Sequence, residues 1–324
     1  KAQDAHSSVP HPPIHPVNLP LVLPHHRYNL AAQGWTTVTL SPQPVVDSQR
    51  AADLQSAIAA LFAAARVFFD REPEYKARFS TPELSEEGYS AIPGEKEFFT
   101  LRSSTHLPDE LAEPAARYWA LAGELLVDML DGVSASVDIQ PDALRNLAQP
   151  CATLSTERTA TMLRMFRYEG WEDKIVAEPH CDLGLLSLVV GDAPGLEVWN
   201  GLENAFYPVE RTYGRLDDKM TVLGGRQLQR LTNGLYAPGG HLVRSYPQGK
   251  SEEKKRYRHS IVFVLRAHYP VVIQTKALES EITGSQQLIP DGMTARELFL
   301  AIKGAHYNIN AGMKDREEQK RRMR

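Results

Sequence analysis

The chain has 324 residues, and its 36 Lys and Arg against 40 Asp and Glu leave a formal net charge of −4. That near balance argues against a nucleic-acid-coating role, which needs a basic excess, and the absence of a run of roughly 18 apolar residues argues against a membrane span. Two cysteines, Cys151 and Cys181, cannot build a disulfide scaffold, so a reducing, cytoplasmic setting is expected, with 42% hydrophobic residues to fill a globular core.

Residues 1–24 read as a Pro- and His-rich tail, running into a short packed strand near Val17 to Leu23. Residues 25–150 read mainly as a helical region. Asp47 to Phe69 carries Leu54, Ile58, Leu61 and Phe62 at helical spacing, with Asp47 or Ser48 as the cap. Ser80 to Thr105 looks like a loop, a second long helix is expected over Pro108 to Gly132, and a short third one starts near Pro141. From Thr159 the texture changes to short β-branched and aromatic runs between turn residues, including TATMLRMFRY, LGLLSLVV, GLEVW, AFYPVE, KMTVL, GLYAP, HLVRSY and RHSIVFVLRA. Such runs predict a sandwich or barrel over 151–275. A helical segment is expected within 276–324, over Thr294 to Lys303 and Asn310 to Arg324. No heptad or apolar stripe reveals an oligomeric state.

Three segments could carry chemistry. In EPHCDLG, His180 and Asp182 would share one face of a strand and offer one nitrogen and one carboxylate to a metal. After the Gly-rich turn LTNGLYAPGG, His241 could supply a third ligand; two His and one carboxylate suit a non-haem iron(II) centre with open positions. In RHSIVFVLRA, Arg258 and Ser260 again lie two apart, and an Arg fork with a hydroxyl matches a carboxylate. Each pattern alone is weak, since His-x-Asp arises by chance in a chain with 11 His, and a strand Arg commonly faces solvent. Their conjunction in this order is much more specific.

With these segments in hand, the chain resembles the isopenicillin N synthase-like superfamily of iron(II), 2-oxoglutarate-dependent dioxygenases. The family's patterns appear as HCDLG (His180 to Gly184), NGLY (Asn233 to Tyr236), HLV (His241 to Val243) and RHS (Arg258 to Ser260). GYSAIPGEKEFFTLR (Gly88 to Arg102) is similar to a loop of fungal members, and the likeness spans roughly residues 15 to 310. The resemblance implies a mixed α and β fold: a distorted double-stranded β-helix, or jelly roll, with an N-terminal helical framework and C-terminal helices. It implies that His180, Asp182 and His241 hold Fe(II). It further implies that Arg258, Ser260 and Tyr168 bind 2-oxoglutarate, and that O2 is consumed as a C–H bond of a small molecule is hydroxylated, desaturated or closed into a ring. The expected setting is secondary metabolism in a fungus.

Two alternatives stay open: an oxidase or cyclase of the same fold that needs no 2-oxoglutarate, and a non-catalytic binding protein on this scaffold. Cys181 is expected to pack as a small hydrophobe, out of phase with its neighbours. For the substrate, Tyr89, Phe98 and Arg102 on the Gly88 segment and Arg164 and Arg167 on the RMFRY run are candidates. Aromatics would meet an apolar body and Arg an acidic group. Anchoring of the loop aromatics in the core is the commoner fate.

Overall fold

The computed structural model describes residues 12–41, 47–82, 86–248, 256–304 and 317. Within them run the strands β1 (Trp35–Thr39), β2 (Gly88–Ile92), β3 (Lys96–Leu101), β4 (Met162–Glu169), β5 (Lys174–His180), β6 (Leu186–Gly191), β7 (Leu196–Asn200), β8 (Ala205–Tyr207), β9 (Lys219–Gly224), β10 (His241–Ser245) and β11 (Tyr257–Leu265). The helices are α1 (Asn29–Gln33), α2 (Ser48–Phe69), α3 (Pro73–Ala77), α4 (Asp109–Ser136), α5 (Ala143–Ala148), α6 (Val209–Thr212), α7 (Arg226–Leu231) and α8 (Ala295–Lys303).

The strands form two antiparallel sheets, one of seven in the order β1-β9-β6-β11-β4-β3-β2 and one of four in the order β5-β10-β7-β8. Side-chain alternation along the two central strands decides what each face does. On β11, Ile261, Phe263 and Leu265 point to the helices, and on β4 Leu163 and Met165 do the same. Phe263 meets Trp119 of α4 edge-on, with ring centroids 5.1 Å apart. Both rings are fully buried, and each burial stabilises the fold by roughly 1.5–3 kcal/mol. The opposite face turns toward the smaller sheet, where Phe166 and Val189 share an apolar cluster with Val176, Val198 and Val243. The larger sheet is thus covered by helices on one side and faces the smaller sheet, across a cavity, on the other.

Several expectations change. The stretch Ser80 to Thr105 is not a loop throughout: β2 and β3 form a hairpin around Pro93 and Gly94, with Gly94 at φ +76°. With β1, this makes three of the seven strands N-terminal to residue 150. Strand β5, expected only at His180, was otherwise hidden by Pro179 and two charged residues, Lys174 and Glu178; as the edge of the smaller sheet it tolerates proline. GLYAP stays a turn, with Asn233 at φ +52° and Gly234 at φ +88°. Near Val17 to Leu23 only a bridge forms, Val22 to Val38. Asp47 makes no side-chain cap; it adopts a left-handed conformation at φ +72°. Helix α2 is long and apolar enough to cross a membrane, contrary to the sequence-based expectation, but half of that stretch is buried, and the helix packs on α4. Helix α8 forms with a capping box between Thr294 and Glu297. The tail before residue 12, residues 249–255 and the helix expected over 310–324 (Glu317 apart) lie outside the described residues.

Candidate metal centre and its cavity

His180 ends β5 and His241 begins β10, and the two are paired directly in register. Their ring centroids are 4.1 Å apart. Each Nδ1 lies against a backbone carbonyl, His180 on Glu178 at 2.7 Å and His241 on Gly239 at 2.9 Å. A carbonyl only accepts, so both Nδ1 atoms carry the proton, and in the neutral ring the lone pair is left on Nε2. Those lone pairs face one carboxylate: Asp182 Oδ1 is 3.8 Å from His180 Nε2 and 4.0 Å from His241 Nε2.

Asp182 is not on the strand with His180, as its two-residue spacing suggested; β5 stops at His180 and the loop turns Asp182 back. Gly184 explains the turn. A Cβ there would lie 2.7 Å from the Leu265 carbonyl oxygen, so the loop sits directly on neighbouring backbone. Arg226 N donates to the Asp182 carbonyl at 2.8 Å and fixes it further.

The donor set fits a divalent metal. One ligand atom from each of His180, Asp182 and His241 falls within 4.8 Å of the others, and Asp182 Oδ2 is buried with no hydrogen-bond partner. Burial, and then the nearness of His241, push the His180 imidazole well below its usual range, so it stays neutral. Burial alone would raise the Asp182 pKa; the two imidazoles outweigh it and hold the group below the ordinary aspartate value. Two neutral imidazoles and an ionised carboxylate are the states a metal requires.

The triad opens on a cavity of about 170 Å³, comparable with cavities of roughly 150 Å³ that accept a benzene-sized guest. Arg258, Ser260, Val262, Val264 and Arg266 line it from one side and Met162, Arg164, Phe166 and Tyr168 from the adjacent strand. At one end Arg258 Nε donates to the Ala193 carbonyl and Nη2 to Glu210 Oε2, both at 2.9 Å. Nη1 is buried without a partner. The Tyr168 ring lies 5.3 Å from the guanidinium, and Ser260 sits two residues along the same face. This end of the cavity can take a carboxylate.

The other candidates are placed as follows. Cys181 is not packed away; it borders the cavity, although it is not one of the clustered ligands. Arg102 is buried, with Nε and Nη2 donating to the Thr159 carbonyl at 2.8 and 2.6 Å. Phe98 packs in the apolar cluster beside Phe166. Tyr89 and Arg167 are not brought to the cavity: the Tyr89 hydroxyl donates to Glu97 Oε2 at 2.7 Å and Arg167 Nε to Glu97 Oε1 at 2.6 Å. Of the substrate candidates only Arg164 lines the cavity. Glu210, Glu86 and Arg266 were not singled out by sequence. Arg266 had a signal, since it continues the even-numbered series from Arg258; Glu86 and Glu210 had none beyond being acidic.

No family model and no curated sequence matches the chain. Solved structures do. An oxygenase-family protein (2OG-Fe(II)) from Caulobacter crescentus superposes with a TM-score of 0.64 at 17% identity, covering 85% of this chain and 90% of that one. A full-length Neurospora crassa protein in complex with alpha-KG and 5-formyluracil superposes with a TM-score of 0.61 at 16% identity, covering 85% and 87%. JOX2 in complex with 2OG, Fe and JA gives 0.62 at 18%, covering 90% and 82%. At these identities the likeness is one of fold: the chain has the jelly-roll core with flanking helices that these proteins share.

Proposed function

We propose that the protein is a non-haem iron(II), 2-oxoglutarate-dependent oxygenase that oxidises a C–H bond of a small molecule. One observation carries the reading: two Nε2 lone pairs and a carboxylate converge at the wall of the cavity that has the unpartnered Arg258 Nη1 at one end. His180, Asp182 and His241 would hold the iron, and three protein ligands would leave positions for a bidentate co-substrate and O2. Arg258, with Ser260 and Tyr168, would orient the distal carboxylate of 2-oxoglutarate, and the apolar lining would exclude water. When bound, iron with 2-oxoglutarate and O2 supplies the oxidising power, and succinate and CO2 are released as the substrate C–H bond is oxidised. The complexes of the Neurospora crassa protein with alpha-KG and of JOX2 with 2OG and Fe support carrying the same small molecules to this fold. A fungal setting in secondary metabolism belongs to the same proposal, supported by the resemblance of the Gly88 to Arg102 segment, and a cytoplasmic one is supported by the two free cysteines.

Anaerobic titration of 2-oxoglutarate into the iron(II) protein tests it. A visible charge-transfer band is expected, lost in His180→Ala and Asp182→Ala and moved to at least tenfold higher 2-oxoglutarate in Arg258→Gln. A metal-saturated protein that shows no band and releases no succinate in air would overturn the reading.

A further inference from the structure

The proposed chemistry uses Arg258 at one end of the cavity and leaves a second, larger accumulation of positive charge unused at the other. Arg164 is buried and, among the described residues, makes no ion pair; its Nε donates to Thr100 Oγ1 at 2.6 Å. Arg266 is 2% exposed, and its Nε is buried without a hydrogen-bond partner. Lys303 lines the same region, and Arg102 stands behind it. Against these four cations stand two carboxylates: Glu86, with Oε2 3.4 Å from Arg266 Nη1 and 3.9 Å from Arg102 Nη1, and Asp182 of the triad, whose charge also acts on Arg164 and Arg266. The local excess is two positive charges. Burial pushes the Glu86 carboxyl up, but Arg266, Lys303, Arg164 and Arg102 outweigh it and bring it down to about 2.

The two cationic ends are separate sites. Arg258 and Arg266 lie on the same face of the chain eight residues apart, roughly 26 Å of extended backbone. Val262, Val264 and Phe166 lie between them, with Arg164 opposite Val262 in register and reaching the cavity from β4, and the three metal ligands face the same space. A molecule with its acidic group at Arg164 and Arg266 would therefore lay an apolar body toward the metal without contesting Arg258.

We propose that Arg164 and Arg266 bind a carboxylate of the primary substrate, and that Glu86 occupies this subsite as an internal carboxylate which the substrate displaces. Glu86 already shows that the cradle accepts a carboxylate. Its two contacts, at 3.4 and 3.9 Å, are long for ion pairs, so the surrounding cations hold it by their summed charge and not by close hydrogen bonds that an incoming carboxylate would have to match. The substrate class is an acid with an apolar body. The assignment of that acid as substrate rests on the oxygenase reading; the anion site itself does not.

The test uses the full chain saturated with Mn(II) and 2-oxoglutarate. Benzoate, phenylacetate, 3-phenylpropanoate and octanoate are titrated calorimetrically beside their primary amides. At least one acid should bind tenfold or more tighter than its amide, and Arg266→Gln should bring that pair within threefold. Should Arg266→Gln not fold, Glu86→Gln gives an independent reading: acid affinity rises severalfold while amide affinity stays. Overturning results are no binding by any acid, equal binding of acids and amides, or a Glu86→Gln protein that binds acids more weakly. Failure of 2-oxoglutarate to bind the Mn(II) protein would instead strike the oxygenase reading, because the acid and amide comparison can still be made without it.

Discussion

Arg258 and Glu210 form a buried ion pair, 2.9 Å between Nη2 and Oε2, with side chains 3% and 2% exposed. Glu210 Oε2 also accepts from the Gly195 and Leu196 backbone amides at 2.7 and 2.8 Å. The carboxylate therefore fixes the guanidinium to the start of β7 and leaves one face of Arg258 for a ligand. Glu210→Gln removes the charge but keeps the shape, stranding a buried cation. A loss of roughly 3–5 kcal/mol in unfolding free energy is expected, read by urea denaturation. A change under 1 kcal/mol would show that Arg258 does not depend on this partner.

Gly195 makes room for the same guanidinium. A Cβ there would stand 2.4 Å from Arg258 Nε and 2.6 Å from Cζ. Gly195→Ala should displace Arg258 and raise the half-saturating 2-oxoglutarate concentration at least tenfold, about 1.4 kcal/mol. Cobalt(II) binding at the triad, followed by its visible spectrum, should be unaffected, because Gly195 touches none of the ligands. Equal loss of both would mean that the substitution unfolds the sheet rather than shifts one side chain.

Asp192 gives the fold a defined acid sensitivity. Burial would raise its pKa, but bonds from the His259 side chain and backbone, with Arg66 beyond, hold it at about 2 against an ordinary 3.8. The folded value is the lower one, so the ionised carboxylate stabilises the fold fully above pH about 4, and the contribution fades as pH falls toward 2. The difference corresponds to about 2 kcal/mol. Asp192→Asn should be less stable than the native chain by that amount at pH 7 and nearly equal to it at pH 2. A gap independent of pH would refute the role given to the charge.

How much of this was legible in the sequence follows from what each feature depends on. The strands β4 and β11 could be read because period-two alternation is local, and the motif residues His180, Asp182, His241 and Arg258 could be named because their spacing is local too. The hairpin β2–β3 was missed because Pro93 and Gly94 mark a turn and a loop alike. Strand β5 was anticipated only at its His180 end, because Pro179 and the charges before it are tolerated only at a sheet edge, a tertiary fact. Glu210, 48 positions before Arg258, and Glu86, 180 before Arg266, are set by the closure of the barrel, which no window of sequence records.

Arg164 and Arg167 show the consequence most directly. Three apart on β4, they must leave opposite faces of the sheet. Arg164 enters the cavity; Arg167 faces the helices, where it joins Glu97, Lys76, Asp70 and Tyr89. Lys76 Nζ donates to Glu97 Oε2 at 2.7 Å, and Glu97 is 6% exposed, so this is a buried network whose charges need one another. Arg167→Gln should therefore lower unfolding free energy by roughly 3–5 kcal/mol while leaving 2-oxoglutarate and carboxylate binding unchanged at a temperature where the variant stays folded. Arg164→Gln should do the reverse for carboxylate binding, weakening it tenfold or more. If Arg167→Gln lost carboxylate affinity and kept its stability, the face assigned to β4 would be wrong.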